Sequence, residues 1–128
     1  MKTYTKKNAS ITTIGIVTRP TIDSQFVANI TNLVQWLTRR KKQVLMTTQN
    51  FKKIENSLTT RLNITCAEEK ELFSNTDLLI SLGGDGTFIS TARKAQKNSP
   101  PIFGVNMGDL GFTTEFTKEN MYDDLGRI

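Results

Sequence analysis

The sequence contains no histidine and only one cysteine, Cys66, among its 128 residues. Without histidine, the chain cannot carry Ser–His or Cys–His catalysis or a histidine-based zinc site. A single cysteine excludes an internal disulfide framework, and nothing beside Cys66 marks its thiol as activated. We therefore predict that Cys66 is a small buried or half-buried residue and that the protein is located in the reducing cytoplasm.

Long apolar runs are also absent, since no stretch approaches the ~20 residues of a membrane-spanning helix. The segment Met1–Ser10 is polar and basic, without the apolar centre of a signal peptide, and is predicted to be a flexible tail. A hydrophobic content of 37% and a charged content of 23% are typical of an ordinary soluble domain. We expect one domain over residues 11–128 and no membrane partner.

The net charge of +5 raises the question of a nucleic-acid partner. The basic residues are spread along the chain, and the densest run, Arg39–Lys42, falls where a helix should end. Cations at that place complement the negative end of the helix dipole. Aromatic residues do not alternate with the basic ones, as they do in proteins that stack bases. We therefore expect no nucleic-acid partner.

The most informative stretch is a short apolar run followed by a glycine-rich turn. Leu78–Leu82 has the continuous apolar character of a strand buried on both faces of a parallel sheet. Gly83-Gly84-Asp85-Gly86-Thr87 follows directly. Glycines at these positions let the backbone turn tightly, adopt positive φ and approach a ligand without interference from Cβ atoms.

A helix is predicted after this turn, because apolar residues recur at helical spacing and Thr87 can act as its N-cap. The N-terminus of a helix after a glycine turn favours an anion, and Asp85 adds a carboxylate that suits a metal ligand or a base for a hydroxyl near a phosphate. The alternative is a tight strand-to-helix turn with no ligand. The stretch lacks Gly-x-Gly-x-x-Gly and the lysine of a Walker phosphate loop.

Strands and helices alternate along the rest of the chain, which predicts an α/β fold with a mainly parallel, Rossmann-like sheet in three layers. Both glycine-rich loops follow strands and are expected to line one crevice at the carboxyl edge of the sheet. The predicted strands are Ile11–Thr18, Val44–Met46, a weak one at Leu62–Thr65, Leu78–Leu82 and Ile102–Asn106. The first predicted helix is capped by Ser24, carries Trp36 at its boundary and has on its buried face Phe26, Val27, Ile30, Leu33, Val34 and Leu37. The other predicted helices are one around Phe51–Leu58, Ala67–Phe73, one from Thr87 to about Lys97, and Thr117–Leu125.

The stretch Gly83–Thr87 after a buried strand resembles the signature that NAD kinases share with diacylglycerol and sphingosine kinases, with a close variant in phosphofructokinases. Gly104–Glu115 separates these groups, because it resembles the NAD kinase pattern Gly-x-Asn-x-Gly-x-Leu-Gly-Phe-x-Thr-Glu. Lipid kinases carry a Gly-Thr-Gly-Asn-Asp stretch at the comparable place. Ile14–Pro20 is similar to the opening strand and loop of NAD kinases, so the resemblance covers most of the chain and implies a phosphofructokinase-like domain.

This resemblance implies transfer of the terminal phosphoryl group of ATP, or of polyphosphate in some members, to the 2′-hydroxyl of the adenosine ribose of NAD. The product is NADP, and Mg²⁺ or another divalent cation usually assists the transfer. Asp85 matches the proposed general base of the family. Gly84 and Gly86 would admit phosphate or ribose to the backbone, Thr87 would hold the turn or a phosphate oxygen, and Phe112 matches an aromatic residue that lies against adenine.

Other residues of the two motifs carry less specific expectations. Asn106, Gly108 and Gly111 are expected to shape the second loop, and Asn106 could instead hydrogen-bond its own turn. Phe112, without the resemblance, could equally be a core residue. Some family members carry arginine where this chain has Ser90, so no phosphate contact is predicted there, and no residue is assigned as a protein ligand of a metal.

Length is the main departure from the family, whose members are roughly twice as long and carry a second, mostly β domain that binds the nicotinamide nucleotide. The chain is therefore expected to be the N-terminal domain alone, with little or no kinase activity by itself. The resemblance also implies that the full-length protein is a homo-oligomer. Two other readings remain open: a lipid- or sugar-directed kinase with the same Gly-Gly-Asp-Gly turn, or a non-catalytic module that binds nucleotides or nucleic acid.

Overall fold

The computed structural model describes residues 10–107 and 116–128. Within these residues, strands and helices alternate from one end to the other. The strands are β1 Thr13–Thr18, β2 Gln43–Thr47, β3 Ile64–Ala67, β4 Leu78–Gly83, β5 Ile102–Asn106 and β6 Phe116–Thr117. The helices are α1 Ser24–Arg39, α2 Thr48–Glu55, α3 Glu69–Ser74, α4 Asp85–Lys94 and α5 Met121–Leu125.

The strands form one sheet in the order β3-β2-β1-β4-β5-β6, and every neighbouring pair is parallel. The chain therefore builds the sheet outward from β1 in one direction, returns, and continues from β4 in the other. Ligands of such sheets bind outside the carboxyl ends of the strands at this point of reversal. The predicted parallel α/β fold is confirmed, and the order places the point of reversal between the ends of β1 and β4.

Helices cover both faces of the sheet and make three layers. The larger apolar core lies under α1, α2 and α5, and a smaller one, which contains Leu72 and Phe73 of α3, lies on the opposite face. Strand β4 runs through the centre with all its residues buried, because helices cover it on both sides. Its alternate residues Leu78, Ile80 and Leu82 belong to the larger core, while Leu79 belongs to the smaller one.

Helix α1 begins one residue earlier than its sequence predicts. Asp23 is the N-cap, since its side chain accepts a hydrogen bond from the backbone N–H of Phe26 at 2.8 Å, and Ser24 is the first helical residue. The prediction that Ser24 caps this helix is therefore wrong. At the other end the basic run does coincide with the helix terminus, as predicted, because Arg39 is the last helical residue. Trp36 is half-buried at the boundary and lies 5.1 Å from the Tyr122 ring.

Three further predictions need correction. Cys66 is exposed, not buried; it lies on β3, the edge strand of the sheet, where Thr65 is exposed as well and Ala67 is buried. Helix α4 begins at Asp85 and ends at Lys94, so Thr87 is not its cap. The predicted helix Thr117–Leu125 is shorter, since its first residue belongs to β6, a two-residue strand held by the stacking of Phe116 on Phe103 at 4.1 Å.

Two expectations fall on residues outside the described ranges: most of the tail Met1–Ser10 and most of the second glycine loop. Within residues 10–107 and 116–128, none of the helices has both the length and the apolar character needed to cross a membrane.

Candidate functional site

The turn between β4 and α4 is short, since a single residue, Gly84, separates the strand from the helix. β4 ends at Gly83, Gly84 is the N-cap of α4, and Asp85 is already its first helical residue. Gly84 adopts an extended conformation, with φ −124° and ψ −154°, and brings no side chain to the cap. The backbone N–H groups of the first turn of α4 and the positive end of its dipole therefore face the end of the sheet.

From the sequence, the glycines of this turn are expected to allow positive φ angles, and this expectation is wrong. None of Gly83, Gly84 and Gly86 has a φ in the left-handed region. Gly83 is needed for packing, because a Cβ atom there would lie 2.4 Å from Thr87 Oγ1 and 3.1 Å from Arg19 Cβ. At Gly84 and Gly86, by contrast, an added Cβ would have no heavy atom of the described residues within 4 Å, apart from its chain neighbours and the backbone of α4. These two glycines leave open space beside the turn.

Asp85 lies at the start of α4, half-exposed, where the helix dipole favours a negative charge. Thr87, two residues on, is buried, and its carbonyl oxygen accepts a hydrogen bond from Thr91 Oγ1 at 2.7 Å. Thr87 and Thr91 are the buried residues of this helix, while Ile89 is exposed. The contact of α4 with the sheet is thus made through small side chains, which lets the helix start lie close to β4.

A cleft of about 880 Å³ opens beside this turn at the carboxyl edge of the sheet. Its volume is within the range of pockets that hold nucleotide-sized ligands. Gly84, Asp85, Gly86 and Thr87 all line it, so the structure brings together four of the five residues that the sequence predicts for the site. The fifth, Phe112, lies outside the described residues.

Sequence reasoning missed the side of the cleft formed by α2. Asn50 and Lys53 also line the cleft. They are far from the glycine turn in the sequence, but α2 follows β2 and the turn follows β4, and both strands are neighbours of β1 in the sheet. The side-chain Oδ1 of Asn50 accepts a hydrogen bond from the backbone N–H of Thr18 at 3.2 Å, and the backbone N–H of Asn50 donates to Thr47 Oγ1 at 3.1 Å. Only the strand order could have indicated these residues, since α2 carries no motif.

Charges of both signs line the cleft. Among the described lining residues the cations are Arg19, Lys53 and Lys94, and the acids are Glu68, Glu69 and Asp85. Lys94 Nζ is 2.8 Å from Glu69 Oε2, an ion pair that joins α4 to α3. Ser90 also lines the cleft, whereas the neighbouring Arg93 is exposed and does not.

The guanidinium of Arg19 is directed toward its own loop and α1. Its Nε donates to the carbonyl oxygen of Thr21 at 2.7 Å, and its Cζ lies 4.4 Å from the centre of the Phe26 ring. Its backbone N–H donates to the carbonyl oxygen of Leu82 at 3.0 Å. Arg19 thus joins the end of β1 to the end of β4, beside the glycine turn.

The two sequence motifs meet at adjacent strand ends. Gly83 and Asn106 are register partners, and the N–H of Met107 donates to the carbonyl oxygen of Gly83 at 2.8 Å. Among the described residues the lining of the cleft does not include Asn106. Gly108, Gly111 and Phe112 fall outside those residues, so the expectation that the second loop lines the same crevice stays a prediction.

Comparison with known proteins gives consistent results. Residues 14–128 match the family model of the ATP-NAD kinase N-terminal domain. The NAD kinase of Magnetococcus marinus is 36% identical over 115 residues, covering 90% of this chain and 37% of that protein. The NAD kinase of Neisseria meningitidis serogroup B is 38% identical over 121 residues, covering 92% of this chain and 40% of that protein.

A solved structure shares the fold. The crystal structure of yeast NADH kinase complexed with NADH matches with a TM-score of 0.78 at 20% sequence identity, over 94% of this chain and 38% of that one. The present chain thus spans about two fifths of the length of the proteins it matches.

Proposed function

The chain belongs to the ATP-NAD kinase family, and we propose that it supplies the catalytic-motif domain of an enzyme that phosphorylates NAD. The reaction transfers the terminal phosphoryl group of ATP, or of polyphosphate, to the 2′-hydroxyl of the adenosine ribose and gives NADP. The observation that carries this proposal is the position of Asp85, a carboxylate at the start of α4 that lines an 880 Å³ cleft between two glycines with open space beside them.

Asp85 is proposed as the general base. It would accept the proton of the 2′-hydroxyl as that oxygen attacks the terminal phosphorus of the donor. The backbone N–H groups at the start of α4 would stabilise the negative charge on the transferring phosphoryl group, since four of them have no partner within the helix. Phosphoryl transfer requires mainly positioning and charge stabilisation, which this turn supplies without further reactive side chains.

Gly84 and Gly86 would let phosphate or ribose approach the backbone, because the space beside each lacks any heavy atom of the described residues. Thr87 has a supporting role: its buried side chain packs on Gly83 and holds the turn. A contact of Phe112 with adenine remains part of the proposal, based on the family pattern alone.

A divalent cation such as Mg²⁺ fits this site if the phosphates of the bound donor supply most of its ligands. The described residues contain no group of three or more cysteine, aspartate or glutamate side chains that could hold a metal ion. Mg²⁺ commonly binds through few protein groups together with substrate phosphates and water, so the phosphates of the donor would supply most of its ligands and Asp85 would keep its role as the base. When bound, the cation would neutralise part of the phosphate charge.

The longer relatives support a further part of the proposal. This domain accounts for about two fifths of their length, so we propose that a second domain completes the site for the nicotinamide nucleotide. On that basis, the 128-residue chain by itself should have little or no kinase activity. That the complete enzyme is a cytoplasmic homo-oligomer is part of the proposal on the family pattern alone.

A chimeric enzyme tests the proposed function. Residues 14–128 would replace the matched segment of the Neisseria meningitidis NAD kinase, and NADP formation would be measured with ATP, Mg²⁺ and either NAD or NADH. The expected result is activity in the chimera and little in the isolated chain. A folded chimera that forms no phosphorylated product from either dinucleotide would contradict the proposal.

A further inference from the structure

We infer that the α2 side of the cleft is a binding subsite for the phosphate chain of the phosphoryl donor, formed by Thr18, Asn50 and Lys53. The inference rests on the proposed function and specifies where the donor is held. The chemistry it recognises is a series of linked phosphates, which ATP and inorganic polyphosphate share.

The first support is the orientation of Asn50. Its Oδ1 accepts a hydrogen bond from the N–H of Thr18, so the amide oxygen is committed to the end of β1. The capping bond from the N–H of Asn50 to Thr47 Oγ1 fixes the backbone of the same residue. Because the two atoms of the amide group lie on opposite sides, the Nδ2 donors are turned away from β1, and Asn50 lines the cleft.

The second support is an unpaired hydroxyl next to Asn50. Thr18 is 6% exposed and lines the cleft, yet its Oγ1 has no hydrogen-bond partner among the described residues. A buried polar atom without a partner is costly and is uncommon in folded proteins. A phosphate oxygen in the cleft would give this hydroxyl an acceptor after a change of its rotamer.

The third support is that the three basic side chains of the cleft differ in whether their charged groups have partners. Lys94 is paired with Glu69, and the guanidinium of Arg19 contacts Thr21 and Phe26. Lys53 differs, because no ion pair or hydrogen bond engages its ammonium group among the described residues. It lies one turn after Asn50 on the same helix and lines the same cleft.

The distribution of acids points the same way. The carboxylates of the cleft lie on α3 and α4 or at their starts: Glu68, Glu69 and Asp85. The α2 side contributes only neutral polar groups and Lys53, with no carboxylate. An anionic chain would therefore meet hydrogen-bond donors on the α2 side, while its terminal phosphate extends toward Asp85 and the start of α4.

Binding to the 128-residue chain tests this inference by calorimetry with tripolyphosphate, a non-hydrolysable ATP analogue and NAD. Lys53→Met should weaken tripolyphosphate and the ATP analogue by about tenfold, the effect of losing one charge-assisted hydrogen bond. Lys52→Met is the matched control, since Lys52 is exposed on the same helix but does not line the cleft. Its effect should stay within about twofold.

Asn50→Asp is the second variant. It keeps the oxygen that accepts from Thr18 N–H but replaces the Nδ2 donors by a charged oxygen, so it too should weaken both phosphate ligands by at least about tenfold. Asn56→Asp, at the exposed end of α2, controls for the added charge.

The inference would be overturned by no binding of tripolyphosphate by the unmodified chain, by equal effects of Lys53→Met and Lys52→Met, or by an equal loss of NAD affinity in the cleft variants. Loss of the ATP analogue without loss of tripolyphosphate would also count against it, because the subsite would then recognise the nucleoside. None of these results bears on NADP formation by the chimera, which tests the proposed function separately.

Discussion

Gly83 and Thr87 pack directly against each other where β4 turns into α4. A Cβ atom on Gly83 would lie 2.4 Å from Thr87 Oγ1 and 2.9 Å from Thr87 Cβ. This contact sets the distance between the start of α4 and the sheet, and with it the position of Asp85. The glycine that ends β4 is thus a structural residue, whereas the two glycines that follow it border the cleft.

Gly83→Ala should therefore destabilise the fold. Oγ1 and Cβ of Thr87 belong to a buried, β-branched side chain that has little freedom to move, so the overpacking should lower the free energy of unfolding by about 1–3 kcal/mol. Urea unfolding followed by circular dichroism measures this. An unchanged midpoint would show that the turn can widen without cost.

Gly84→Ala and Gly86→Ala should have the opposite profile. The added methyl groups meet open space and no left-handed backbone, so the free energy of unfolding should change by less than about 1 kcal/mol. Affinity for the ATP analogue should nevertheless fall, because the methyl groups occupy the space through which a phosphate reaches the backbone. Unchanged affinity in both variants, measured by calorimetry, would place the ligand elsewhere in the cleft.

The cap of α1 gives a matched pair of variants. Asp23→Ala removes the acceptor of the Phe26 N–H and should lower the free energy of unfolding by about 1 kcal/mol. Ser24→Ala, one residue later and inside the helix, should change it by no more than a few tenths of a kcal/mol. Equal effects in urea unfolding would mean that the cap is shared between the two side chains.

Tyr122 predicts a pH dependence. Burial raises its pKa above the ordinary value of 10.0, and the nearby charge of Arg39 opposes this shift in part. The folded protein therefore keeps the phenol proton at pH values where the unfolded chain has lost it. The corresponding stability is fully present below the unfolded pKa and is lost as the pH rises through the folded one.

Tyr122→Phe removes this titration. We expect the unmodified protein to lose more stability than Tyr122→Phe between about pH 9 and about pH 11, where tyrosine ionises. Urea unfolding at several pH values checks this. Parallel pH profiles for the two proteins would contradict the assigned shift.

Much of the fold could be predicted because local pattern and burial agree. β5 was predicted with its observed bounds, and β4 was short by one residue, since continuous apolar runs mark strands that are buried on both faces. The start of α4 could not be predicted in the same way. Its cap is a glycine without a capping side chain, and its buried residues are the threonines Thr87 and Thr91, which an apolar pattern does not indicate.

Of the residues that line the cleft, the sequence could predict only those that belong to the glycine motif. Gly84 to Thr87 follow a strand whose carboxyl end borders the cleft, so motif and topology indicate the same place. Asn50 and Lys53 carry no motif and come next to the turn through the strand order alone. Cys66 was wrongly expected to be buried because its exposure depends on which strand forms the edge of the sheet, which composition and spacing do not specify.

The assignment of Asp85 as the general base is tested by the turnover of the chimeric NAD kinase that carries residues 14–128 with Asp85→Asn. If Asp85 is the general base, turnover should fall by ~10²–10⁴ relative to the unmodified chimera, while the affinity for NAD changes little. Circular dichroism and unfolding midpoints would confirm that both chimeras are folded. Near-normal turnover in the asparagine variant would contradict the assignment of Asp85 as the general base, because the carboxylate at the start of α4 would then have no part in the chemistry.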